Sequence, residues 1–140
     1  MADEDKRFHL QLVQDAIARM ARNSFWLKNW TVVLVAALFA LSARDASASY
    51  AWVAFFPVLV FWGLDGFFLA TEWQFRKLYD AVRQDEPALS AFSLNVAAVR
   101  DNPTTPNLKA RQWLRATVSK TLAPFYGVIV AAILVVLVVA

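Results

Sequence analysis

One carboxylate stands out within an apolar run: Asp65, in the string WGLDGFF. A charge inside a membrane-spanning helix is expensive, so such a group pairs, takes up a proton or faces water. Lys28 lies near one end of an earlier apolar run, with Asn29 beside it. Counted inward from Thr71, Asp65 sits about six residues deep, ~9 Å at the helical rise, and the Lys28 ammonium can extend towards that depth. Two chemistries follow. A Lys28–Asp65 clamp, with Asn29 or Ser24 adding hydrogen bonds, would hold two helices together. A ring of Asp65 side chains from several copies would line an aqueous cavity and select cations. The two are compatible, and the sequence leaves both open.

Few other residues could do chemistry. The absence of cysteine removes disulfides, thiolate metal sites and thiol catalysis. His9 is the single histidine, and three glycines are too few for a phosphate-cradling loop to be expected. Glu72, Asp80, Asp85 and Glu86 fall near the membrane but form no recognisable constellation. The expectation is a protein that is not an enzyme, with no catalytic residue, cofactor or metal site.

The elements that position Asp65 follow from hydropathy. The chain is 59% hydrophobic and 18% charged, against about 45–50% and about 25% in soluble domains. Three stretches are long and apolar enough to span a bilayer, which takes about 20 helical residues. They are Trp26–Ala43, Tyr50–Thr71 and Leu122–Ala140. The short polar turn Arg44–Ser49 makes the first two an antiparallel hairpin. Pro57 predicts a kink in the second span, and Gly63 and Gly66 permit close helix approach or local bending beside Asp65. Trp26, Trp30, Trp52, Trp73 and Trp113 fall at expected interfaces, while Trp62 lies deeper and reads as packing.

Basic residues set the expected orientation. Four precede the first span and Lys28 lies at its start, one lies in the turn, and eight lie between the second and third spans. The basic segments are therefore assigned to the cytoplasm, with the N-terminus inside and the C-terminus outside. Topology and anionic headgroups also account for the net charge of +3, so no nucleic acid is expected as a partner. The acidic start and late apolar run are unlike a signal peptide.

The cytoplasmic segments have their own patterns. Leu10, Val13, Ile17, Met20 and Ser24 step by threes and fours, a short heptad-like seam. It fits either a helix lying on the membrane surface or one packing on a neighbouring subunit. The second span continues as a charged helix with an apolar stripe, Phe75, Leu78, Tyr79 and Val82. That stripe can pack on the N-terminal helix of the same subunit or the next one. Residues 85–100 are ambiguous, Asp101–Asn107 reads as a loop, and Lys109–Lys120 reads as a basic interfacial helix. The expected fold is an all-α integral membrane protein in four parts. These are a cytoplasmic amphipathic helix (1–25), a transmembrane hairpin (26–71), a cytoplasmic helical and interfacial region (72–121) and a third transmembrane helix (122–140).

The runs ARMARNSFWLKNWTVVLVAALFAL and FPVLVFWGLDGFFLATEWQFRKLYDAV resemble small bacterial inner-membrane proteins of the SLATT-type two-transmembrane effectors and, more distantly, the RipA-type octameric membrane proteins. The likeness covers about Leu10–Arg83 and is one of architecture. It implies a homo-oligomer acting as a pore-forming or membrane-disrupting effector in antiphage or stress defence, answering nucleotide signals or a cytoplasmic partner protein. The third span departs from the two-span plan. A structural or regulatory membrane anchor that recruits a cytoplasmic partner is the alternative.

Overall fold

In a computed structural model, residues 2–85, 92–95 and 108–139 are described. They form α1 (Asp3–Asp45), α2 (Ser49–Arg83), α3 (Leu108–Thr117) and α4 (Leu122–Val139), with no strand among the described residues. Three of the four, α1, α2 and α4, are long and apolar enough to cross a membrane. In hydrocarbon the backbone has no water to bond, so a helix that satisfies its own amides is the expected solution even for valine-rich segments such as α4.

Helix α1 opens on Asp3, Glu4 and Asp5, whose charges suit the positive end of the helix dipole. It closes at Ala46, which adopts the left-handed conformation with φ 48° and donates its amide to the Ser42 carbonyl. The Ser42 hydroxyl donates to the Ser47 carbonyl at 2.8 Å, tightening the turn into α2. Both α1 and α2 run without interruption through the expected boundaries at 25/26 and 71/72, and Pro57 lies inside continuous α2. Apolar span and charged extension are therefore one continuous helix in each case. The basic helix expected over 109–120 is shorter, ending at Thr117, and residues 118–121 turn the chain into α4. Residues 86–91 and 96–107, which include most of the ambiguous segment and the expected loop, lie outside the described residues.

The hairpin packs along its whole length in two zones. At the end carrying the N-terminus, Val13 and Ile17 of α1 meet Leu78 and Val82 of α2, with Leu10, Phe75 and Tyr79 packed around them. In the spans, Val35 joins Ala51, Ala54, Val58, Leu69 and Ala70, and α4 adds Leu122, Tyr126 and Ile133. Small residues at Ala51 and Ala54 allow close helix approach, which is what drives packing in lipid. Large side chains such as Trp52, Phe56 and Val138 remain on the outer surface, Phe56 at 75% exposure. That is the pattern of a lipid-facing perimeter.

Within one chain the seam Leu10, Val13, Ile17 and Met20 runs along the apolar stripe of α2, the same-subunit packing that was one of the two uses expected of that stripe. Its first three members face the chain's own stripe Phe75, Leu78, Tyr79 and Val82, and Met20 is half-buried outside that cluster. The reason is continuity. Because α1 and α2 both continue past their apolar spans side by side, the two apolar faces meet within one chain.

Candidate functional site

Asp65 is fully buried at the junction of α1, α2 and α4. Its Oδ2 lies 2.5 Å from the Lys28 ammonium and accepts a hydrogen bond from the Tyr126 hydroxyl at 3.0 Å. Its Oδ1 accepts from the Ser24 hydroxyl. Lys28 also donates to Ser24 Oγ at 2.7 Å, which closes a small network over one turn of α1. Ser24 and Lys28 are one turn apart on α1, so a single face presents both to the carboxylate. Lys28 keeps 23% of its side chain exposed and lies 5.9 Å from the centre of the Phe125 ring.

The neighbouring contacts fix this geometry. Trp62 stacks on Tyr126 with ring centres 5.6 Å apart and planes 7° from parallel. The Trp62 indole donates to the Thr117 carbonyl at 2.8 Å, occupying one of the open carbonyls at the end of α3. The Trp113 indole donates to the Gly63 carbonyl at 2.9 Å. At Gly66 a side chain would run into the Thr117 methyl, so α3 rests directly on the α2 backbone there. Gly66 therefore serves close approach, with α3 as the approaching element, whereas a Cβ at Gly63 would meet the Trp113 ring at an ordinary 3.6 Å.

Of the three residues named as partners for the membrane acid, Lys28, Ser24 and Asn29, the structure brings two to it. Lys28 and Asp65 pair, and Asn29 does not join them. Successive residues on a helix point about 100° apart, and with Lys28 turned inward Asn29 lies on the exposed outer face. Ser24 fills the hydrogen-bonding role for which both were candidates. Tyr126 is the member that sequence reading missed. Its signal was a single hydroxyl in an uncharged apolar span, which only the fold could aim at Asp65.

A second polar contact sits at the N-terminal end. His9 is buried, and its Nε2–H donates to the Ser93 carbonyl at 2.7 Å. Phe92 packs edge-on against Phe8, ring centres 5.6 Å apart. Lys6 pairs with Asp85 at 2.7 Å, and its hydrogen bond holds that exposed carboxyl below the ordinary range. These contacts tie residues 92–95 and the end of α2 to the start of α1. Glu72 pairs with Arg76 on its own helix.

Chemically, the central cluster is an ion pair with two hydroxyl donors, enclosed by one chain. Such an arrangement holds helices in register. Among the described residues no three histidine, aspartate or glutamate side chains converge as metal ligands would. No family model, curated protein or solved structure matches the chain.

Proposed function

We propose that the chain is a subunit of a homo-oligomeric bacterial inner-membrane assembly that does no catalysis and presents its cytoplasmic two-helix stalk to a partner protein. The observation that carries this reading is the pair of unbroken rods. Helices α1 and α2 each pass from span to stalk without a break, and each zone has its own lock. The buried Asp65 network fixes the membrane half, and the Val13–Leu78 core fixes the stalk half. A rigid element of this kind transmits position between membrane and cytoplasm. The orientation proposed is that of the basic residues, with the stalk inside and the α4 terminus in the periplasm. A cysteine at Ser47 should then label from the periplasm, and one at Ala110 only after permeabilisation. Labelling of Ala110→Cys from outside intact cells would reverse the assignment.

The pore-forming effector is the second reading, and the architectural resemblance favours it. It needs a polar lining built between copies, because Asp65 is enclosed within a single one. Native mass determination combined with ion flux in liposomes separates the two. A defined oligomer without flux is expected for the stalk-presenting subunit. Flux from that oligomer would replace this reading with the effector, and a monomer would overturn both.

A further inference from the structure

Helix α1 carries a second seam, on the side away from the hairpin. Arg22, Trp26, Asn29, Val33, Ala36 and Ala40 step by alternating fours and threes, the heptad spacing of a helix that packs on another helix. At 3.6 residues per turn, Ala36 and Ala40 lie within about 20° of the Asn29 direction. Every member is exposed, Trp26 at 52% and Val33 at 50%. The opposite face, with Ser24, Thr31, Val35 and Ser42, is the one buried in the chain.

Asn29 decides what this face is for. It lies fifteen residues before Arg44, roughly 22 Å along the helix, while the hydrocarbon layer is about 30 Å thick. With Arg44 at one edge its amide falls inside that thickness, one residue past the Ser24–Lys28 turn that meets buried Asp65. This puts Trp30 deeper than the interface expected for it. Asn29 makes no hydrogen bond to any described residue. A lipid tail offers an amide neither donor nor acceptor, and a polar group left so costs free energy. An amide is its own complement: it donates through nitrogen and accepts through oxygen. Two copies related by a two-fold axis along the membrane normal can satisfy each other there. Ala36 and Ala40 let the two backbones close in on the same line, and side-chain amides are known to hold spans together. The two Arg22 side chains would meet at headgroup level, where water and anionic lipid screen them.

We infer that the Asn29–Val33–Ala36–Ala40 face of α1 is the contact between two copies of this chain, with paired Asn29 amides setting its register. The inference rests on the homo-oligomeric reading and names the face responsible. The absence of cysteine allows a clean test in native membranes with the full chain. Single cysteines at Ala36 and Ala40 should form disulfide-linked dimers on mild oxidation. A cysteine at Phe56, exposed on the lipid side of α2, should not. Adding Asn29→Leu to Ala40→Cys should abolish the cross-link, and Asn29→Gln should retain it. Ala40→Phe, which blocks approach without touching the Asp65 network, should lower the native mass to that of a smaller species. Cross-linking at Phe56 but not at Ala36 or Ala40, from a protein oligomeric by native mass, would overturn this face and leave the assembly standing. Cross-links unchanged by Asn29→Leu would overturn the role of the amide. A monomer by native mass with no cross-link anywhere would remove the assembly itself, with lipid as the only cover of the face.

Discussion

Lys28→Met should destabilise the folded protein by about 3–5 kcal/mol, the usual consequence of leaving one charge of a buried pair unmatched. Asp65 is wholly enclosed, so after that change only the Ser24 and Tyr126 hydroxyls would face its carboxylate. Two neutral donors do not replace an ammonium in a low-dielectric site. The reverse change should be milder. Asp65→Asn keeps acceptor and donor atoms at the same place, and Lys28, already part-exposed, can extend its flexible stem towards the headgroups. The double variant Lys28→Met with Asp65→Leu should recover most of the loss, because both desolvation penalties vanish together. Denaturation in mild detergent measures all three. If Lys28→Met proves no worse than Asp65→Asn, the carboxylate is not held as an anion by Lys28 and the clamp loses its basis.

The parts of this fold that were legible in the sequence are those written in local pattern. Apolar length gives the three spans, and the short polar segment at Arg44–Ser49 gives the hairpin. The threefold and fourfold spacing marks the faces of α1 and α2 that become the stalk core. Lys28 and Asp65 were legible as a pair because unlike charges in an apolar setting have few other outcomes. What the sequence left open depends on rotation and on distant partners. Whether Ser24 or Asn29 turns towards Asp65 depends on which side of α1 the hairpin covers, and both sides carry heptad spacing. Tyr126 is separated from Asp65 by 61 residues, and no periodic signal links them. The contact of α3 with Gly63 and Gly66 is likewise tertiary, since the two glycines state that something comes close without naming Trp113 and Thr117.

The stalk gives the other large effect. Val13 is fully buried and Leu78 likewise, each in the small cluster that joins α1 to α2 beyond the membrane. Val13→Asp would place a carboxylate there with no cation in the cluster to meet it, a change of the class that costs upwards of about 4 kcal/mol. Leu78→Ala, which leaves only a cavity, should cost about 2–5 kcal/mol. The spans do not share these contacts, so the protein should still insert and the Lys28–Asp65 pair should survive. The stalk alone should open. Hydrogen exchange is the measurement of choice, because local opening appears as lost protection confined to one cooperative unit. Amides of α1 from Leu10 to Met20 and of α2 from Phe75 to Val82 should lose protection together, while those around Val35 and Val58 keep theirs. The contrary result is equally sharp: if Val13→Asp dissociates the oligomer while the stalk amides stay protected, the Leu10–Met20 seam works between copies. In that case the intramolecular core is not what holds the two rods side by side. Loss of protection in the stalk with the oligomer intact would instead separate the two seams of α1 by function, the inner one closing the chain on itself and the outer one free to meet its copy.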